Sequence, residues 1–267
     1  MPNLTSILKY PLSFKMKGKP LITVILPVRN SAITLADCLY SLLNQTYVNL
    51  EIIAIDDFST DKSMSILRSF KKKDKRLRIY KNVKSYGLAV TLNRLIKKTK
   101  GSFLAFMDSS DISKLNRLAK QYRFLVKNPD FVAVGSQCSF INETGKRIGK
   151  SNFPMENSEI YQNPLHGISM QFETVLINKL KLPKDILKFN VGSNPFIYSD
   201  IFLKIIPYGK FANLADVLHY HRNHPNTYIS ELRKNILSLI KLLIKGKALY
   251  DYQAPIRTFF SPILKSV

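Results

Sequence analysis

Apolar and polar positions along this chain follow two periods in turn. Residues 21–28 (LITVILPV) form a continuous apolar, β-branched run, which is how a strand buried on both faces of a parallel sheet reads. Ser31 or Thr34 can cap the segment that follows, where Leu35, Cys38, Leu39, Leu42 and Leu43 recur at helical spacing. Residues 50–55 (LEIIAI) read as a second buried strand closing on Asp56-Asp57, and Ser59-Thr60-Asp61 starts a second helix that runs to Lys71–Lys73. Leu77–Tyr80 is a third strand, Tyr86–Thr99 a third helix, and residues 102–107 (SFLAFM) a fourth strand ending at Asp108. A helix over Leu115–Lys127 stops at Asn128-Pro129, and a strand follows over Phe131–Ile141. Asn142–Asn157 reads as a loop, Gln171–Lys181 as a helix or a strand, and a further helix starts near Ser199 or Asp200. Strands alternating with helices of this length predict an α/β protein with a doubly wound, mostly parallel sheet.

In such sheets ligands bind beyond the carboxyl ends of the strands. Pro27-Val28-Arg29-Asn30, Asp56-Asp57 and Asp108 each stand at the end of a buried strand. One such residue is explained as a helix cap. Three strand ends delivering polar groups to one edge, two of them acidic, predict a site. Further on, His219 and His221 alternate with Tyr220 and Arg222 as on a strand. That puts the two histidines on one face and Tyr220, Arg222 and His224 on the other.

The stretches ITVILPVRN, SLLNQTY and EIIAIDDFSTDKS, followed by YGLAVTLNRLIKKTKGSFLAFMDSSDIS, NRLAKQ, NPLHGIS and GKFANLADVLHYHRNHP, resemble in order the family-2 glycosyltransferases. The nearest in style are bacterial enzymes that add sugars to surface polysaccharide or lipopolysaccharide. The resemblance covers residues 21–227 and implies a GT-A (Rossmann-like) fold, a nucleotide-diphosphate sugar donor and transfer with inversion. It places Pro27, Arg29 and Asn30 along the nucleotide pocket and Asp57 against the nucleoside, with Asp56 and Ser59 close by. Asp108 takes the first place of an Asp-x-Asp metal motif, and Arg117 and Gln121 sit on the helix beyond it. His166 falls on the acceptor side. Arg222 and His224 match a late segment that approaches the donor diphosphate, His224 with an imidazole to offer a metal. The implied cofactor is Mg²⁺ or Mn²⁺, which prefer carboxylate, water and phosphate oxygens.

Two positions depart from that pattern. The metal motif reads Asp108-Ser109-Ser110-Asp111, with a serine where the family carries its second aspartate, so Ser110 and Asp111 become candidate ligands. Ile197-Tyr198 stand where the family has Glu-Asp, whose aspartate is the catalytic base. Asp200, two residues on, is the remaining carboxylate there and the candidate base. Two residues along a helix is a turn of about 200°, so a local shift would be needed to bring it into that role.

Charge alters the picture less than its size suggests. The chain of 267 residues carries a formal charge of +23, from 30 Lys and 11 Arg spread over most of its length. This favours contact with phosphates or anionic lipid, but no Arg-fork or aromatic module of a sequence-specific nucleic-acid reader is present. Cys38 and Cys138 lie in apolar contexts without metal or disulfide spacing, as small core residues do in a reducing compartment. No signal peptide or membrane-spanning run is read, which predicts a cytoplasmic protein. The expected organisation is a lead-in over residues 1–20, a transferase domain over 21–227 and a basic amphipathic tail over 228–267. The tail predicts peripheral contact with an anionic inner membrane face. The expected function is transfer of a sugar from a UDP-sugar to a glycan or lipid-linked acceptor. The alternative is a degenerate, non-catalytic nucleotide-sugar-binding protein or partner subunit of a glycan-assembly system.

Overall fold

The computed structural model describes residues 18–192, 195–222 and 226–264. The lead-in up to residue 17 therefore lies outside the described residues. The first half alternates as the pattern predicts: β1 (Ile22–Val28), α1 (Leu35–Leu43), β2 (Leu50–Asp56), α2 (Ser63–Lys73), β3 (Leu77–Lys81), α3 (Leu88–Ile96) and β4 (Phe103–Phe106). Then come β5 (Ile112–Ser113), α4 (Arg117–Lys127), β6 (Phe131–Ile141), β7 (Arg147–Lys150) and α5 (Asn157–Gln162). A 3₁₀ turn at Phe172–Thr174 leads into β8 (Leu176–Asn178), followed by α6 (Ile197–Ile205) and β9 (Lys210–His221). Three helices close the described chain: α7 (Asn226–Lys234), α8 (Ile236–Leu249) and α9 (Ile256–Leu264).

The strands form one sheet in the order β3-β2-β1-β4-β8-β6-β9-β5, with β7 on β6. From β3 to β4 every pairing is parallel. Beyond β4 the sheet is mixed, because β8 runs antiparallel to both β4 and β6. Successive residues of the central strands point to opposite faces, and each face has its own core. Ile25, Ile53 and Leu104 meet Leu92 and Leu95 of α3 and Ile201 and Ile205 of α6 on one side. Val24, Leu26, Ile52 and Ala105 meet Leu39 of α1, Leu67 of α2 and Leu118 of α4 on the other. This two-sided covering is why the strands read as unbroken apolar runs.

Three local expectations are corrected. The stretch Asn142–Asn157 contains β7, which reads poorly because its residues RIGK lie mostly at the surface. Gln171–Lys181 is neither one helix nor one strand but a 3₁₀ turn, a three-residue strand and a second 3₁₀ turn. The helix expected to start at Ser199 or Asp200 begins at Ile197, and Ser199 makes no cap. Its hydroxyl accepts instead from the His166 N–H at 3.0 Å. Cys38 and Cys138 are buried free thiols, as expected.

The tail packs on the domain. Leu232, Leu239, Leu242, Leu243, Tyr252 and Phe259 join the core on the α6 side. Lys245 of α8 ion-pairs with Asp200 at 2.7 Å. The opposite side of α8 leaves Leu237, Ile240 and Ile244 exposed. No helix among the described residues is long and apolar enough to cross a membrane.

Candidate functional site

The chain leaves β1 for β2 and β3 on one side and returns to β4 on the other, so the strand order reverses between β1 and β4. A crevice beyond the carboxyl ends of such a pair is where doubly wound sheets bind ligands. A cavity of about 420 Å³ lies there, lined among others by Pro27, Arg29, Asn30, Asp57, Gly87 and Asp108. Larger clefts exist, such as one of about 610 Å³ beside Asp37, Tyr40 and Tyr220, but that one holds none of the predicted site residues.

The loops that shape the cavity are tied to one another. Asn30 adopts φ 47°. Its N–H donates to Ser59 Oγ at 3.0 Å, and its Oδ1 accepts from the Thr60 N–H at 2.9 Å. The hydroxyls of Ser31 and Ser109 meet at 2.6 Å, joining the loops after β1 and β4. Arg29 is exposed at the rim. Asp56 is fully buried, with Oδ2 accepting from the Ser59 N–H and Oδ1 unpartnered.

Asp57 is buried and takes four donors: Asn82 Nδ2 and the Tyr86 N–H on Oδ1, Ser85 Oγ and the Gly87 N–H on Oδ2. Burial opposes its ionisation, but these donors outweigh it and hold the carboxyl below its ordinary range. Four donors fill the acceptor capacity of a carboxylate. Asp57 thus builds the wall of the pocket by fixing the segment 82–87, at whose end Gly87 opens α3 with φ 81°. Direct contact with a nucleoside would need one of those donors displaced.

Asp108 accepts from both the N–H and the hydroxyl of Ser110 at 2.8 Å, both on Oδ1. Its Oδ2 is engaged by no other residue among those described. Burial raises its pKa, the charge of Asp111 adds to this, and the Ser110 donors oppose it. A desolvated carboxylate with one free oxygen in the pocket wall fits a hard cation. The Ser110 hydroxyl donates to Asp108 and keeps its own lone pairs for a cation.

Asp111, the other candidate ligand, meets β9. The register of β5 on β9, Ile112 with Tyr220 and Ser113 with His219, carries it to the two histidines. Its Oδ2 accepts from His219 Nε2 at 2.8 Å and His221 Nδ1 at 2.9 Å, and its Oδ1 from the Arg222 N–H at 2.8 Å. The three side chains have metal-ligand types, and their ligand atoms lie close enough together to hold an ion; in this structure the fully buried Asp111 pairs with both imidazoles. They form an ion pair. Burial alone would lower the His221 pKa, but the charge and hydrogen bond of Asp111 dominate and raise it to about 9. His219 goes the other way: burial takes it down to about 4 despite Asp111. Neutral His219 donates through Nε2 and accepts from Arg117 Nη1 on Nδ1 at 3.1 Å. The same guanidinium bridges the carbonyls of Glu173 and Phe106.

Arg222 stands beside the motif, but its Nε donates to the Ser110 carbonyl and its Nη1 to the carbonyls of Asn142 and Glu143. Those three donors hold loops together. His224 lies outside the described residues. Gln121 is buried, donating to the carbonyls of Val134 and Thr174.

His166 packs between Tyr198 and Tyr228, with centroids at 4.9 and 5.0 Å, and its Nδ1 accepts from the Phe172 N–H. Burial first, then the His221 charge, lowers its pKa to about 3, so it is neutral. Asp200 does not reach the cleft. It is fully buried, with Oδ2 on Lys204 Nζ at 2.8 Å and Oδ1 on Lys245 Nζ at 2.7 Å, and Asn190 Nδ2 at 3.0 Å. Both its oxygens are engaged and it is closed off from the cleft, so its candidacy as base is corrected. Sequence reasoning passed over Glu173, Gln171 and Tyr228. Glu173 is 6% exposed at the 3₁₀ turn before β8, and only the antiparallel return of β8 onto β4 brings it to this edge.

Comparison with known proteins agrees with this architecture. The family model described as Glycosyl transferase family 2 matches residues 23–186. An uncharacterized glycosyltransferase of Haemophilus influenzae is 31% identical over 224 residues, 79% of this chain and 68% of that protein. The mannosyltransferase PcManGT of Pyrobaculum calidifontis, solved with GDP-Man and Mn²⁺, superposes with a TM-score of 0.66 at 20% identity, covering 97% of this chain and 73% of that one. S. aureus TarS 1-349, solved with UDP-GlcNAc, gives 0.63 at 18%, covering 90% and 72%.

Proposed function

This chain belongs to glycosyl transferase family 2, and we propose that it moves a sugar from a UDP-sugar to a hydroxyl of a glycan or lipid-linked acceptor, with inversion at the anomeric carbon. The observation that carries this reading is the convergence of Pro27, Arg29, Asn30, Asp57, Gly87 and Asp108 on one cavity at the point where the strand order reverses. The donors bound by the two structural neighbours, UDP-GlcNAc and GDP-Man, are of the class that such a cavity takes.

Negative charge builds on the leaving diphosphate as the sugar departs. Asp108, through its free Oδ2, would hold Mg²⁺ or Mn²⁺, and that ion would neutralise the diphosphate. Arg29, exposed at the rim, would add a second positive charge. Asp57 acts by fixing the loop that carries Gly87. In this reading residues 21–227 form the transferase domain and residues 228–267 a basic tail. Leu237, Ile240 and Ile244 lie along one side of α8, three and four residues apart, with Lys241 and Lys247 on the same helix. That supports peripheral contact with an anionic inner membrane face, where the acceptor lipid would be found.

A second reading has its own observation. Tyr198 occupies the position of the family's base and Asp200 is closed by lysines, which favours a protein that binds nucleotide sugar without turnover. Titration calorimetry with UDP, GDP, UDP-glucose and UDP-GlcNAc, with and without Mn²⁺, tests the first reading. Metal-dependent binding with slow release of nucleotide is expected. Binding of donor without any release favours the second reading, and absence of binding overturns both.

A further inference from the structure

The transfer proposed above needs a group to take the acceptor's proton, and the family's position for it carries a tyrosine whose ring is stacked on Phe172 at 4.3 Å. We propose that Glu173 is that group, an inference that rests on the transferase reading. The acidic side chains at this edge are otherwise committed. Asp57 is filled by four donors, Asp111 by two histidines and a backbone N–H, and Asp200 by two lysines; Asp56 is fully buried, whereas Glu173 keeps 6% of its surface exposed. Asp108 has one free oxygen and is assigned to the cation.

Glu173 is placed by the fold. The antiparallel register of β8 on β4, with Leu176 opposite Ala105, returns the chain to the strand end that carries Asp108. Arg117 pins the two segments together by donating to the carbonyls of Phe106 and Glu173. The carboxylate is also oriented. Its Oε2 accepts from Gln171 Nε2 at 2.6 Å. Gln171 Nε2 donates in turn to the Tyr228 hydroxyl at 2.9 Å, which meets His221 Nε2 at 2.8 Å. Oε1 is engaged by no other side chain among the described residues. This is a carboxylate held in place by a chain of neighbours and by its own backbone N–H.

Burial raises the pKa of Glu173 to about 7; the charges of Asp111 and Asp108 add to this and His221 opposes it. Such a base matches a neutral operating pH. In the step, the acceptor oxygen forms a bond to the anomeric carbon. The bond from that carbon to the diphosphate oxygen breaks, and its electron pair leaves with the nucleoside diphosphate. The acceptor's proton passes to Glu173 Oε1.

The test uses Glu173→Gln in the full chain, which keeps the shape and the Gln171 contact. UDP release from UDP-glucose and UDP-GlcNAc, and GDP release from GDP-mannose, are measured with water as acceptor, beside donor affinity by calorimetry. The expected result is donor affinity within about threefold of the unmodified protein and release slowed by at least about 100-fold. The unmodified rate should rise with pH around 7, and the residual rate of the variant should not. Release at the unmodified rate in Glu173→Gln, or an unchanged pH profile in it, overturns the assignment while leaving the transferase reading in place. An unmodified protein that neither binds nor consumes any of the three donors overturns both.

Discussion

Asp111 and His221 stand 2.9 Å apart in a buried ion pair at the junction of β5 and β9. The pair fixes the end of the sheet where the Asp108 loop, β9 and, through Tyr228, α7 come together. Its pH dependence has a definite sign. His221 has a folded pKa of about 9 against an ordinary 6.5. The stability it contributes is complete below 6.5 and is lost as the pH rises through about 9. We expect the thermal midpoint to fall between pH 7 and pH 10 and this decline to shrink in His221→Gln. A decline of equal size in both proteins would remove the pair as its source.

Removing the other partner tests the pair directly. Asp111→Asn removes the charge that holds the proton on His221 against burial, and breaking a buried pair from one side costs about 3–5 kcal/mol. A clear drop in the denaturant midpoint is expected at pH 7. If Asp111 instead served as an essential metal ligand with little part in folding, the variant would lose Mn²⁺ response at nearly unchanged stability.

The metal assignment to Asp108 makes a separate prediction. Asp108→Ala removes the carboxylate oxygen of the pocket wall that is free among the described residues and should abolish the Mn²⁺ dependence of donor binding. Ser110→Asp restores a second carboxylate next to it and should tighten Mn²⁺ binding, since a charged oxygen replaces a neutral hydroxyl. Both are read by calorimetry with donor and metal varied in turn. Full activity retained in Asp108→Ala would sink the assignment.

Much of this was legible in the chain. The apolar runs at residues 21–28 and 50–55 specify strands buried on both faces, and the polar residues that follow them specify the edge where the cavity lies. What escaped is long-range. The two histidines that meet Asp111 lie on β9, 108 and more residues further on, and only the pairing of β5 with β9 reveals them. Asp200 looks like a base until a lysine 45 residues later in α8 closes on it. Glu173 looks like an ordinary polar residue of an irregular stretch, because no local period marks a short strand that runs back antiparallel. Local patterns record which face is apolar; they do not record which distant charge satisfies a buried one.

The exposed ridge of α8 can be separated from its buried side. Leu237 is 72% exposed and Ile244 61%, so replacing both by Asp should leave the thermal midpoint within about 4 °C, as surface changes away from special features do. Sedimentation with vesicles of anionic and neutral phospholipid reads the consequence. The unmodified chain should bind the anionic vesicles more tightly, and less so as salt rises; the double variant should lose most of that binding. Equal binding by both proteins would place any membrane contact elsewhere on this basic surface.

Asp200 offers the sharpest division between a structural and a chemical carboxylate. It ties Lys204 within α6 and Lys245 on α8, so it holds the tail against the domain from a fully buried position. Burial lowers the Lys204 pKa even with Asp200 beside it, whereas the more open Lys245 is raised: burial there opposes, but its bond to Asp200 prevails. Asp200→Asn would leave two ammonium groups facing a neutral amide, one of them with little access to water. A loss of about 3–5 kcal/mol is the usual result of breaking a buried pair from one side, and Lys245 can recover part of it by turning to solvent. The thermal midpoint should therefore fall by several degrees while donor hydrolysis, measured well below that midpoint, keeps its rate and its pH profile. The opposite result, hydrolysis lost at unchanged stability, would return the base to Asp200 and take it from Glu173.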